Sequence, residues 1–332
     1  MKLKNIYIPM LLAFSACAGA SGTICPISHD YFVKNIQSRV LHPEPNHVTI
    51  FAHRACHSSA PENTPTAINE CWKQGVEVVE NDVRRTKDGA LIVFHNPDIK
   101  WITDKWGYVG DMTLAQIREA NLNERDTDDL GRYYTSEKIA TLDEYFEAIK
   151  NKTMVDFELK PATPGDYQKM FDESVELARK HGVLDHLIFK IPDSIHHGVV
   201  SKTHILDTLK IPSDVMIKTM IWQSPTPIKE RLDYFDKFHP VAYEITFQDP
   251  KYVEGALNDP RFKGKTINMI AVQPEWSGGL GDAVSMAHPA EGWGKLVKLG
   301  GNSIMTDRPE ALMRYLESAN LRQSDTDNCR RK

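Results

Sequence analysis

Three short apolar runs lie close together near the start of the chain, and each ends in ionisable residues. Residues 48–52 (VTIFA) run into His53-Arg54, residues 76–79 (VEVV) into Glu80-Asn81-Asp82, and residues 91–94 (LIVF) into His95. Runs of this length suit buried strands. In an α/β barrel the ends of parallel strands share one rim, and catalytic groups sit there. The pattern predicts two histidines and two carboxylates converging on one site. Side chains two apart on a strand share a face, so Glu80 and Asp82 point one way and Asn81 the other. Two carboxylates facing inward repel one another unless a cation lies between them. Oxygen ligands of this kind favour Mg²⁺ or Ca²⁺.

The same stretch resembles the glycerophosphodiester phosphodiesterase family, whose fold is a phosphatidylinositol phosphodiesterase-like TIM barrel. The pieces that carry the resemblance stand in order: His53-Arg54, Pro61-Glu62-Asn63-Thr64, Glu80-Asn81-Asp82-Val83, Thr86-Lys87-Asp88-Gly89 and His95. A second match is 295–309 (KLVKLGGNSIMTDRP), like the helix, glycine turn, strand and T-D-x-P with which members close the barrel. The segment after His95 also fits, with Thr103-Asp104, Gly107-Tyr108-Val109 and Asp111-Met112-Thr113 in the places of a family insertion. Such an insertion could cap the site or merely decorate the barrel. Residues 154–160 (MVDFELK) resemble the family's E-x-K strand. There Glu158 takes the place of the third metal carboxylate and Lys160 that of a phosphate-directed lysine, while Asp156 lies deeper and reads as structural.

The rest of the chain alternates as a (β/α)8 barrel requires. Helices are expected over 65–74, 114–122, 141–150, 166–180, 203–209, 226–238, 251–257, 291–299 and 308–319, with strands at 187–191, 215–222, 242–247, 267–272 and 303–307. Thr64 and Pro65 suit a helix start, and Gly75 its end. Residues 23–47 read as a lead-in, 48–319 as the barrel domain with a small insertion after His95, and 320–332 as a polar tail. Residues 123–134 read as a loop, and His196-His197 as a solvated pair.

A chain of 332 residues with net charge −5 has ample length for one core and no general attraction to nucleic acid or anionic membrane. No internal stretch is apolar enough to span a bilayer. Residues 1–20 carry a basic start at Lys2 and Lys4, an apolar run at 6–14 and a small-residue end, the layout of a secretory signal. Export to the periplasm or medium is therefore expected, with a lipoprotein anchor through Cys17 as the rival reading. In an oxidising compartment Cys56 and Cys71 are spaced for a bridge, and Cys25 and Cys329 could tie the termini.

The resemblance implies metal-dependent hydrolysis of a small-molecule phosphodiester to an alcohol and glycerol 3-phosphate. His53 and His95 are the acid–base pair, with the role of each left open. One Ca²⁺ or Mg²⁺ would lie on Glu80, Asp82 and Glu158, with Arg54 and Lys160 directed at phosphate. The glycerol hydroxyl is the expected attacking group, which would give a cyclic phosphate before water opens it. Glu62 either holds the loop of His53 or touches substrate. Lys190, Glu244, Gln273 and Trp276 fall at or after strand ends, and Trp276 could pack an apolar group or a choline head group. Alternatives are phospholipase D-like cleavage of lysophospholipid or sphingomyelin, and a non-catalytic exported binding protein.

Overall fold

The computed structural model describes residues 29–123, 134–192 and 205–322. Eight parallel strands close into a barrel: β1 (Thr49–Ala52), β2 (Val78–Arg85), β4 (Met154–Leu159), β5 (Leu187–Ile191), β6 (Met216–Trp222), β7 (Ala242–Thr246), β8 (Thr266–Ile270) and β9 (Ser303–Thr306). Neighbours pair in chain order, and β1 pairs with both β9 and β2, which closes the ring. One strand stands outside it: β3 (Leu91–Val93) is antiparallel to β2.

This corrects the reading of 91–94 as a third parallel rim strand. The physical reason is the length of β2. It continues to Arg85, beyond the rim, turns at Lys87-Asp88-Gly89 with Gly89 at φ +90°, and comes back as β3. The backbone N–H of Phe94 donates to the carbonyl of Asp82 at 2.8 Å. The hairpin thus delivers His95 beside Asp82, by a route unlike the strand-end route of the other site residues.

Alternation along the strands sorts two cores. Outward residues such as Ile50, Val79, Val155 and Phe189 pack under the surrounding helices in the large outer core. Inward, Phe51, Val78, Met154 and Ile188 meet Val33, Ile36 and Val40. Those three belong to the helix His29–Leu41, which plugs the end of the barrel away from the site; the Thr266 hydroxyl donates to its Val40 carbonyl at 2.6 Å. The lead-in therefore contains a helix with an apolar stripe at 33, 36 and 40, a spacing that puts all three on one face.

Helix Pro65–Gln74 begins and ends as its sequence requires: the Thr64 hydroxyl accepts from the Ala67 N–H, and Gly75 closes it at φ +80°. Elsewhere the helices are shorter than their patterns. Residues 114–122 yield only Leu114–Ile117, 226–238 yields Ile228–Phe235 followed by a 3-10 turn, and 291–299 yields Trp293–Lys298. Residues 251–257 form no α-helix but separate 3-10 turns, because Gly255 at φ +73° interrupts the chain between Pro250 and Pro260. An unforeseen helix, Asp282–Ala287, precedes the last strand.

The insertion after His95 has its own small core around Ile99, Val109, Ile117 and Leu122. It leaves Trp101, Trp106 and Tyr108 exposed. Among the described residues no helix is long and apolar enough to cross a membrane. The signal segment 1–20, Cys17, Cys25, Cys329, His196-His197 and most of the loop at 123–134 lie outside the described residues.

Candidate active site

Inward positions rise through the barrel from apolar to charged. Above Val78 on β2 come Glu80 and Asp82; above Met154 on β4 come Asp156 and Glu158. Register places Glu80 opposite Asp156 and Asp82 opposite Glu158. Oxygens of Glu80, Asp82 and Glu158 lie within 4.8 Å of one another. They line a cavity of about 430 Å³ at the C-terminal end of the strands, together with His53, His95 and Lys160.

Buried carboxylates are costly unless compensated, and lysines compensate these. Lys190 Nζ lies 2.8 Å from Glu80 and 2.6 Å from Glu158. Lys160 pairs with Glu158 and sits 3.3 Å from Asp82. One layer down, Lys218 is wedged between Asp156 and Glu244, so Asp156 is structural as its depth implied. Burial pushes Asp156 up to about 7 against the pull of Lys218. At Glu158 burial opposes, but Lys160 and Lys190 prevail and hold the carboxyl at about 2. Asp82 is held well below the usual range: burial raises it, and His95, Lys160, Arg54 and Lys190 outweigh burial.

Three carboxylates so close still carry one charge more than the two lysines cancel. Both oxygens of Asp82 are buried and make no hydrogen bond among the described residues. An oxygen-rich donor set with unsatisfied buried acceptors fits a hard divalent cation. The chain thus has a possible acidic metal site.

His53 follows β1. Its Nδ1 bonds to Asp307 Oδ1 at 2.7 Å, and its Nε2 stands 4.0 Å from Glu80. His57 Nε2 meets the same Asp307 oxygen at 3.0 Å. Asp307 is itself placed: its N–H donates to buried Asp282 at 2.8 Å, and Thr306 and Trp293 donate to the other Asp282 oxygen. Burial would lower the His53 pKa, but the bond and charge of Asp307 raise it above its ordinary value. His95 goes the other way, lowered by burial despite the nearby Asp82 charge.

Arg54 and Glu62 are brought together rather than aimed at the cavity. Arg54 Nη1 donates to Glu62 at 3.0 Å, and its backbone N–H donates to Glu80 at 3.3 Å. Glu62 therefore holds the loop. Asn63 bonds to outward-facing Asn81, which also accepts from the Tyr145 hydroxyl. Arg54 and Ala55 both have left-handed backbone, φ +52° and +64°. Such strain persists only where surroundings enforce it, and here a Cys56–Cys71 disulfide anchors the loop to helix Pro65–Gln74.

Glu244, Lys190 and Trp276 line the cavity; Gln273 does not, and stands just before the turn Pro274–Trp276 without a side-chain capping bond. Sequence reasoning missed Asp307, His57, Lys218 and Arg84. Asp307 stood in the T-D-x-P motif, and Lys218 in a strand (MIKTMIW) where a lone lysine among apolar residues was the available signal. Arg84 donates to the His95 carbonyl at 2.7 Å, fixing the end of the hairpin.

Residues 53–207 match the model of the glycerophosphoryl diester phosphodiesterase family, and residues 218–316 match a domain of unknown function. The chain is 26% identical over 272 residues to a glycerophosphodiester phosphodiesterase of Caldanaerobacter subterraneus, covering 80% of this chain and 96% of that one. It is 31% identical to human glycerophosphodiester phosphodiesterase 1 over 176 residues, 50% of this chain and 51% of that one. Among solved structures, an Oleispira antarctica phosphodiesterase in complex with the product sn-glycerol-3-phosphate superposes with TM-score 0.60 at 21% identity, covering 81% and 96%. A glycerophosphoryl diester phosphodiesterase from Parabacteroides distasonis gives 0.64 at 16% identity, covering 90% and 95%.

Proposed function

We propose that this chain, whose residues 53–207 match the glycerophosphoryl diester phosphodiesterase family model, hydrolyses glycerophosphodiesters to an alcohol and glycerol 3-phosphate, using His53 and His95 as acid and base around a divalent-metal site. The observation that carries this reading is the meeting of Glu80, Asp82 and Glu158 within 4.8 Å, in a cavity also lined by both histidines.

Glu80, Asp82 and Glu158 would hold Ca²⁺ or Mg²⁺. Such an ion, when bound, neutralises nonbridging phosphoryl oxygens and orients the diester. Lys160 adds positive charge on the phosphoryl group. Arg54, held by Glu62, contributes to the field of the site from behind the loop. Asp307 fixes His53 with Nδ1 toward the carboxylate and Nε2 toward Glu80. A histidine paired with a carboxylate carries its proton readily, so His53 is the acid that protonates the leaving alcohol oxygen. His95, whose protonated form is disfavoured by burial, is the base that takes the proton of the attacking hydroxyl. Opposite displacement of two such groups divides acid from base. Whether the attacking hydroxyl is that of the glycerol or of water, the net reaction consumes one water.

Export is part of the proposal. The Cys56–Cys71 disulfide supports it, since such bonds persist in oxidising compartments. N-terminal sequencing of the protein recovered from the periplasm or medium tests cleavage after the small-residue stretch.

Phosphorus NMR of the products tests the chemistry. Mature protein is given glycerophosphocholine with Ca²⁺ or Mg²⁺, then with chelator, beside a His53→Ala control. Metal-dependent glycerol 3-phosphate, lost in the control, is the expected result. A cyclic phosphate that persists would convert the assignment to a lyase. Choline release from lysophosphatidylcholine alone would move it to the phospholipase D-like reading.

A further inference from the structure

One carboxylate oxygen serves two histidines. Asp307 Oδ1 lies 2.7 Å from His53 Nδ1 and 3.0 Å from His57 Nε2. Fixing His53 as an acid takes only the first of these contacts. The proposed chemistry leaves His57 without a task, yet its placement is enforced. Arg54 and Ala55 turn through left-handed backbone, and the His57 N–H donates back to the Ala55 carbonyl at 3.0 Å. This tight turn brings the fourth residue after His53 back toward the end of β9. The adjoining Cys56 is pinned to helix Pro65–Gln74 by its disulfide.

Two imidazole nitrogens and a carboxylate oxygen, all within 4.8 Å of one another, make a ligand set. Its chemistry differs from that of Glu80, Asp82 and Glu158, which offer oxygen alone. Oxygen donors suit hard Mg²⁺ and Ca²⁺, whereas two imidazoles with one carboxylate suit a borderline ion such as Zn²⁺. Zinc bonds of about 2.1 Å in a tetrahedron set their donor atoms roughly 3.4 Å apart. The contacts of 2.7 and 3.0 Å are hydrogen-bond lengths. An ion that replaces the shared protons therefore needs an opening of about half an ångström. Asp307 is the accessible edge of the set, with its side chain 25% exposed against 4% for His57. Its backbone is held by Asp282, which also receives Thr306 and Trp293. Outer contacts of this kind keep ligands oriented.

Occupation disarms the acid. As an imidazolium, His53 gives up its Nε2 proton readily. An ion on Nδ1 takes the place of the Nδ1 proton, which goes to solvent. The ring is then a neutral ligand, and its remaining proton leaves only by forming an imidazolate. Nε2 still faces Glu80 at 4.0 Å but no longer supplies a proton to a leaving oxygen.

We infer that His53, His57 and Asp307 form a second metal site, for a borderline transition-metal ion of the Zn²⁺ class, and that its occupation inhibits turnover. The site stands on its own geometry; the inhibition rests on the phosphodiesterase reading with His53 as acid.

Isothermal titration calorimetry of Zn²⁺ into the mature protein in saturating Mg²⁺ tests the site. Turnover of glycerophosphocholine under the same conditions tests the consequence. The wild type should bind one zinc ion in this way, with a loss of rate that further Mg²⁺ does not restore. His57→Gln keeps an amide donor for Asp307 but removes the ring nitrogen. Its zinc affinity should fall by about tenfold or more, while an unchanged Mg²⁺ affinity verifies its fold. His57→Ala should behave alike, and Glu158→Gln should do the reverse, weakening Mg²⁺ and keeping zinc. Inhibition, read against the zinc-free rate of each variant, should weaken in step with zinc affinity. No zinc bound by the wild type, or zinc affinity unaltered in both His57 variants, overturns the site. Inhibition relieved by excess Mg²⁺ also overturns it and moves zinc to the acidic trio. Zinc bound through His57 with turnover undiminished overturns the inhibition, and His53 as the acid with it. Absence of turnover in the zinc-free wild type overturns the phosphodiesterase reading, while the calorimetry still decides the site.

Discussion

Asp307 Oδ1 lies 2.7 Å from Nδ1 of His53, though the two residues are 254 positions apart. The contact exists because β1 and β9 are neighbours in the closed ring, with Ala52 registered against Thr306. It ties the last motif of the chain to the first.

Replacing Asp307 by Asn should slow turnover by about 10²-fold or more, the usual weight of a positioned acid–base group. The sign of the pH effect follows from the cause. Burial alone lowers the His53 pKa, and Asp307 reverses that. Without the carboxylate, burial prevails and the basic limb of the kcat/KM–pH profile moves to lower pH. A basic limb unmoved in Asp307→Asn would remove His53 from the role of acid.

Glu158→Gln removes one of the three convergent carboxylates. Affinity for Mg²⁺ or Ca²⁺, read by isothermal titration calorimetry, should fall by about tenfold or more, since hard cations bind through ligand charge and number. Chelation should abolish turnover in the wild type, and either ion should restore it. Unchanged affinity in the variant would place the ion elsewhere.

A buried triad away from the site should contribute to stability in a pH-dependent way. Glu77 bonds to His47 at 2.9 Å and pairs with Arg322. Burial raises its carboxyl, but Arg322 and His47 prevail and hold it at about 2 against an ordinary 4.5. A depressed carboxylate stabilises the fold above its unfolded value. The contribution, about 3 kcal/mol, is therefore full above roughly pH 5 and lost as pH falls toward 2. Denaturant melts of wild type and Glu77→Gln should show a gap at pH 7 that narrows progressively from about pH 5 to about pH 2. A gap independent of pH would refute the linkage.

Reduction of the Cys56–Cys71 bridge, or its replacement by two serines, should cost about 3 kcal/mol, as expected for a loop of this length. Activity should fall further than stability accounts for, because the loop holding His53 and the left-handed Arg54 and Ala55 loses its anchor. Thermal melts and kinetics in parallel, with and without dithiothreitol, measure both. Full activity at temperatures where the reduced protein is still folded would show that the loop needs no anchor.

Much of this protein was legible in its residues because strand alternation is local. A two-residue period already sends Glu80 and Asp82 inward and Asn81 outward, and the structure has them so. The capped helix after Thr64, the barrel class and the convergence of His53, Glu80, Asp82, His95 and Glu158 on one cavity follow from short-range chemistry and motif order. What the residues could not show are relations made by closing the ring. Which lysine neutralises which carboxylate depends on register between β2, β4 and β5. The strand carrying His95 reads as one more apolar run, and only pairing reveals that it runs backward. The helix His29–Leu41 has its apolar stripe in a segment that looked featureless until a barrel mouth stood beneath it. Asp307 at His53, and Trp222 at Trp276, meet across long stretches of chain. Periodicity decides which way a side chain faces, but only the closed barrel decides what it faces.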